Sequence, residues 1–266
     1  MLFVMATYVR DGLNLWYEER GAGLPVIFLA GTMSDHTTWD IVVPQFKGLR
    51  SITPDNRDIG NSEIARQDYS VRDMAGDVLA LMDHLGLERA SIVGHSLGGM
   101  IAQQVAIVAP ERVDKLVLVC SSARQDIQSR SLMKLWISLR QEIANDLVFD
   151  EVICLCAMGP DPLAQISLQE AAEAWRKKNR PQRGAAFIRN VEATLASDTF
   201  AQLDQITAPT LVIYSDCDRV FPRKHGERLV AAIPGARGVL MEHCGHSPMA
   251  ERPAEFMRIV QPFLLS

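Results

Sequence analysis

Ser96 stands in the run Val93-Gly94-His95-Ser96-Leu97-Gly98-Gly99-Met100, which follows "RASI" and leads into "IAQQVAIVAP". Glycine weakens strands and helices alike, and a buried hydroxyl packs poorly. Small residues crowded around one serine therefore imply a turn that needs the space. Gly94 to Gly98 fit G-x-S-x-G, and the apolar run before and the amphipathic run after supply the strand–turn–helix setting this motif requires. There a serine takes a strained backbone conformation and projects its hydroxyl beyond the sheet, beside a helix N-terminus that favours negative charge. A plain helix-capping serine would give part of the same pattern. The chemistry on offer is nucleophilic attack.

A serine hydroxyl is a weak nucleophile and needs a base within hydrogen-bond reach. The histidines are His36, His84, His95, His225, His243 and His246. His84 falls on the polar side of a helical pattern and His225 near a helix start, so both read as surface residues. His95 adjoins Ser96, but the turn is expected to point its side chain away from the hydroxyl and into packing. "EHCGHSP" differs, because it follows the last strand-like run, where a loop can cross the carboxyl edge of a sheet. Within it His246, between Gly245 and Ser247-Pro248, is the stronger candidate base, and His243 is expected in or at the end of the strand. The base needs a carboxylate to hold its tautomer and stabilise the imidazolium. "VIYSDCDRVFP" ends a strand with two, Asp216 and Asp218. Spacing to Pro222 favours Asp218, and the alternative, Asp216, would otherwise cap or brace the loop.

These groups lie far apart in the chain, so intervening elements must gather them. "LFVMATYV" and "LNLWYEE" read as a hairpin around "RDG", an Asp-Gly turn signal. "VIFLAG", "LRSITPD", "ASIVGH", "DKLVLVCS", "PTLVIYSD" and "ARGVLMEHC" read as further strands. Helical spacing runs from Ser70 to Leu85, with Ser70 and Asp73 as a capping box and Gly86 as the stop. Other helices are expected over Leu97 to Ala109, "KHGERLVAAI" and "PAEFMRIVQPFL". This alternation implies an α/β fold, a mainly parallel sheet covered on both faces. It breaks between residues 124 and 205, where "SLMKLWISLRQEIA", "FDEVICLCAM", "LQEAAEAWRKKN" and "RGAAFIRNVEATLA" carry helical patterns. That stretch reads as a helical cap inserted into a core of residues 1–123 and 206–266.

Composition narrows the class of function. A hydrophobic share of 48% and a net charge of −5, with no long basic run, argue against a nucleic-acid or anionic-membrane partner. Five cysteines, an odd number without a C-x-x-C pair, argue against a disulfide framework or a zinc knuckle, and most of them read as buried packing residues. The first residues lack a basic segment ahead of their apolar ones, and no apolar run is long enough to span a membrane. A soluble cytoplasmic protein, monomer or homodimer, is the expectation.

The elbow, the late aspartate loop and "GHSP", together with "VIFLAG" before "TTW" and "DNRDIGNS" after the fourth strand, resemble the α/β-hydrolase superfamily over nearly the whole chain. The order Ser96, Asp218, His246 is the one that family shows. The resemblance implies an eight-stranded sheet, and an oxyanion hole formed by the backbone N–H groups of Thr32 and Leu97. Two departures stand out: Ala30-Gly31 where the family has His-Gly, and Arg57-Asp58 where it has Arg-Gly. "TTWD", "SLGGMIAQ" and "APERVDKLVL" are similar to 3-oxoadipate enol-lactonases and related carboxylesterases, though such motifs are too widely shared to name a substrate.

The expected activity is hydrolysis of a small-molecule ester or lactone through an acyl-enzyme, with no metal or organic cofactor. A carbon–carbon bond hydrolase or a cofactor-free perhydrolase would use the same triad with a different pocket. A ligand-binding receptor on the same fold is the non-enzymatic alternative, favoured only by the altered Ala30-Gly31 loop. Met33 and, on the cap, Leu132, Leu135, Trp136, Cys154, Met158, Trp175 and Phe187 are the candidate pocket lining. Arg124, Arg183 and Arg189 are candidates to meet a substrate carboxylate, with surface salt-bridging as their alternative role.

Overall fold

The strand-like runs pair into one sheet in the computed structural model, which describes residues 3–179 and 184–266. Asp11 and Gly12, at φ 52° and 75°, turn β1 (Phe3–Arg10) into β2 (Leu13–Gly21), the positive-φ pair that a tight hairpin requires. The remaining strands are β3 (Leu24–Leu29), β4 (Leu49–Pro54), β5 (Ala90–His95), β6 (Val113–Val119), β7 (Thr210–Ser215) and β8 (Arg237–Met241). Their order is β1-β2-β4-β3-β5-β6-β7-β8. β2 runs antiparallel to both its neighbours, and every other pairing is parallel.

The helices are α1 (Val71–His84), α2 (Leu97–Val108), α3 (Ile127–Glu142), α4 (Asp146–Ala157), α5 (Pro160–Leu163), α6 (Leu168–Lys178), α7 (Gly184–Ala196), α8 (Lys224–Ala232), α9 (Pro248–Glu251) and α10 (Pro253–Leu265). Ser70 and Asp73 form the expected capping box at the start of α1. Successive residues of each central strand serve opposite faces, as the pleat dictates. Ile27, Leu29, Ile92, Leu116, Leu118 and Val212 enter one buried cluster with residues of α1, α2 and α8. Val26, Phe28, Val93, Val117, Val119 and Ile213 enter a second with Trp39 and with Phe256 and Val260 of α10. Because both faces are covered, the central strands read as continuous apolar runs.

β3 lies between β4 and β5, so the chain leaves its carboxyl end on one side and returns on the other. A crevice opens at such a switch point, outside the carboxyl ends of the strands. Helices α3 to α7 lie between β6 and β7. The neck of this insertion is closed where Arg124 and Asp198 form an antiparallel bridge and where the Thr199 N–H donates to the Ala123 carbonyl at 3.0 Å.

α7 is fastened to the core by Arg189, whose guanidinium donates to both oxygens of Asp58 at 2.9 and 3.0 Å. The Asp58 side chain is fully buried, and it also accepts the Ala65 N–H at 2.8 Å. Asp58 has φ 70°, in the left-handed region where glycine is at ease. The departure from Arg-Gly thus keeps a glycine-like backbone and adds a carboxylate that holds the insertion. Among the described residues no helix is long and apolar enough to cross a membrane.

Arg189→Met removes two charge-assisted hydrogen bonds from the buried Asp58 carboxylate, and a loss of about 3 kcal/mol in urea-unfolding free energy is expected. Asp58→Gly combined with Arg189→Met removes both charges and the backbone strain. It should regain more than half of that loss in the same titration.

Candidate active site

Ser96 joins β5 to α2 with φ 54° and ψ −118°, a conformation that costs of order 1–3 kcal/mol and must be held from outside. Its N–H donates to the Val119 carbonyl at 2.9 Å, and the Ser121 hydroxyl donates to its carbonyl at 2.8 Å. A Cβ on Gly98 would strike the Leu29 carbonyl oxygen, and one on Gly31 would lie 3.0 Å from the Cβ of Ser96. The elbow therefore seats tightly against β3 and the loop that follows it.

The Ser96 Oγ lies 2.9 Å from His246 Nε2, and His246 Nδ1 lies 2.8 Å from Asp218 Oδ2. The other Asp218 oxygen accepts the N–H groups of Val220 and Phe221 at 2.8 and 2.9 Å. The carboxylate is thereby committed to accepting Nδ1–H, which leaves the Nε2 lone pair facing the serine hydroxyl. All three side chains are buried. The structure brings Asp218, and not Asp216, to His246. Asp216 is exposed and accepts the Cys244 N–H at 3.3 Å, bracing the loop instead. His243 lies beyond the end of β8 and is exposed.

Two histidines have partners that lie far from them in the sequence. His95 is buried, as expected of a packing residue, and lies in the wall of the same cavity, its ring 4.8 Å from that of His246. Its Nε2–H donates to the His246 carbonyl at 2.8 Å. Burial, reinforced by the neighbouring His246 ring, pushes its pKa down to about 3. His225 is buried rather than on the surface, because the start of α3 packs over the start of α8. Its Nδ1 lies 2.9 Å from the Ser122 hydroxyl and its Nε2 3.3 Å from that of Ser129.

A cavity of about 720 Å³ opens over the serine. Gly31, Thr32, Met33, Ser96 and His246 form its floor, and α3, α4, α6 and α7 supply much of its wall. Met33, Trp136, Met158 and Trp175 all line it, as do Cys154 and Phe187. Leu132 and Leu135 do not: the first is half-buried in the core and the second is 52% exposed. Thr32 is half-buried in the loop beside the elbow. That loop is braced by the Asn56 side-chain amide, which donates to the Ala30 carbonyl at 3.1 Å. Leu97 opens α2, so its N–H is among those a helix leaves without an intrahelical acceptor. Arg189 is engaged by Asp58, and Arg124 pairs with Asp198 at 2.6 Å. Arg183 lies outside the described residues.

Burial also governs the thiols. It pushes Cys154 up to about 11 and Cys244 up to about 12, so both stay protonated near neutrality. Cys120, at φ 45°, lies beneath the aspartate, with its Sγ within 4.8 Å of ligand-type atoms of Asp218 and His246. Asp35, His36 and Asp55 make a second such cluster among the described residues. In both, hydrogen bonds account for the spacing: His246 with Asp218, and His36 Nδ1 with Asp55 at 2.9 Å.

Residues 25–253 match the family described as alpha/beta hydrolase fold. The chain belongs to the α/β-hydrolase family. It is similar to BpoC of Mycobacterium tuberculosis, a protein named for non-heme bromoperoxidases, with 30% identity over 91% of this chain and 94% of that one. It also resembles the crystal structure of a hydrolase from Pseudomonas aeruginosa PA01, with a TM-score of 0.90, 27% identity and 98% of both chains covered. The enol-lactonase from Burkholderia xenovorans LB400 has a TM-score of 0.89 over 98% of this chain and all of that one; at 24% identity it shows the shared fold alone.

Glu251 also enters the cavity wall beside His246. Its only sequence signal is its place shortly after "GHSP".

His95 carries a pH consequence for this hydrolase. A histidine held at about 3 when folded and near its ordinary 6.5 when unfolded contributes stability that is complete above pH 6.5 and is lost as pH falls towards 3. His95→Gln keeps an N–H donor for the His246 carbonyl but does not titrate. Urea midpoints measured from pH 7 to pH 4 should fall more steeply for the wild type than for this variant.

Proposed function

We propose that this α/β hydrolase is a serine hydrolase that cleaves small carboxylic esters or lactones through an acyl-enzyme intermediate. The observation that carries the reading is the Ser96 hydroxyl held 2.9 Å from His246 Nε2 at the floor of a largely apolar cavity. Ser96 Oγ attacks the substrate carbonyl carbon while its proton passes to His246 Nε2. Asp218 holds the Nδ1–H and stabilises the imidazolium. The oxyanion forms towards the N–H groups of Thr32 and Leu97, a role worth roughly 100-fold or more per donor in comparable sites. As the carbonyl reforms, the leaving alcohol takes the proton from His246 and the acyl group stays on Ser96. His246 then deprotonates a water, which releases the acid and restores the hydroxyl.

Residues 124–205 act as a cap in this reading, and Met33, Trp136, Met158 and Trp175 receive the apolar part of the substrate. The likeness to the Pseudomonas aeruginosa hydrolase supports hydrolysis as the reaction class.

The test is initial-rate hydrolysis of p-nitrophenyl esters of increasing acyl length, with simple lactones alongside. Ser96→Ala should abolish turnover. Asp218→Asn should lower kcat by roughly 10⁴-fold, whereas Asp216→Asn should keep most of it. Absence of wild-type turnover above the Ser96→Ala blank on every substrate would overturn the assignment.

A further inference from the structure

Glu251 is the last residue of α9, and its Oε2 is the point where two separate segments meet. That one oxygen accepts the Gly245 N–H at 2.9 Å and the Gly159 N–H at 3.2 Å. Gly245 immediately precedes His246, and Gly159 caps α5 in the insertion. Beside this bridge the His246 N–H donates to the carbonyl of Ala157, the last residue of α4, at 2.7 Å. The backbone carrying the imidazole is thus held by the α4–α5 turn.

The arrangement is costly for mere packing. The second oxygen, Oε1, is buried without a hydrogen-bond partner, and burial raises the Glu251 carboxyl above the ordinary carboxylate range. Arg252, next in the chain, turns its guanidinium to Asp161 at 3.0 Å instead. A half-buried carboxylate with one idle oxygen and, among the described residues, no ion pair is explained by what its other oxygen holds together.

We propose that Glu251 is a positioning residue, which ties the turn at Gly159 to the Gly245-His246 backbone and so keeps the imidazole aligned between Ser96 and Asp218. This rests on the reading of His246 as the base of the proposed hydrolysis. Alignment of the base then depends on the insertion being seated on the core.

Three variants separate reach from charge. Glu251→Gln retains an oxygen at full reach that can accept both N–H groups, without the charge. Glu251→Asp keeps the charge but shortens the reach, and Glu251→Ala removes both. The expected result is near-wild-type kcat for Glu251→Gln. Glu251→Asp and Glu251→Ala should lose about 10- to 100-fold in kcat with KM little changed, the cost of a misplaced catalytic group.

The downfield proton resonance of His246 Nδ1–H, assigned by its loss in Asp218→Ala, should persist in Glu251→Gln and broaden or shift in the other two. Thermal melting identifies any variant that fails to fold, and the Gln and Asp variants decide the matter if Glu251→Ala does. Unchanged kcat and an unchanged resonance in Glu251→Asp would overturn the proposal. So would a Glu251→Gln variant as impaired as Glu251→Ala. If the wild type hydrolyses none of the esters, the reading of the reaction fails, and the resonance alone still decides whether Glu251 aligns His246.

Discussion

The backbone of Ser96 is bent into a region that non-glycine residues avoid, and much of the surrounding structure exists to hold it there. Its N–H and carbonyl are taken by β6 and by Ser121 of the following loop. The next turn of α2 lies so close to β3 that only glycine fits at position 98. The strain is local, but the restraint is global, since it uses three adjacent parallel strands and the helix that covers them. A hydroxyl raised clear of the sheet at this point faces the carboxyl ends of β7 and β8, whose loops bring Asp218 and His246.

What could be read beforehand follows from the range of the forces involved. The strand runs, the capping box at Ser70 and the Asp-Gly turn are settled by neighbours in sequence, and each has its counterpart in the structure. Ser96 and His246 were legible as candidates because glycine and proline mark the special backbones that expose them. The choice between Asp216 and Asp218 was less so, because both follow the same strand. It is set by a tight turn in which Asp218 accepts two N–H groups from the residues just after it. His225 was misread because nothing near it in sequence announces that Ser122 and Ser129, far upstream, close over its ring. His95 was rightly read as packing, but its hydrogen-bond partner was not legible, being a carbonyl 151 residues away.

Helices α3 to α7 do more than border the cavity. They are joined to the core at a hydrogen-bonded neck, at the buried Asp58–Arg189 pair, and at the loop that carries His246. Asp58 stands in a left-handed backbone conformation that suits glycine, and its carboxylate fastens α7. The floor of the cavity comes from the sheet and much of its wall from the insertion, so the shape of the pocket depends on that seating.

The neutral ring of His95 has a consequence for the timing of charge. Two imidazoles lie face to tilted face with centroids 4.8 Å apart. If both carried a proton, their repulsion at that separation would cost about 3 kcal/mol at an effective dielectric constant near 20. His95 is kept from taking one by its burial, and its single N–H is already spent on the backbone of His246. The pair therefore behaves as a one-seat vehicle: in the proposed hydrolysis the proton from Ser96 passes to the ring that faces it, and His95 stays neutral. In the proposed hydrolysis, a histidine beside the base, which could have competed for the proton, is instead an uncharged wall, and the imidazolium formed on His246 has Asp218 as its counter-ion.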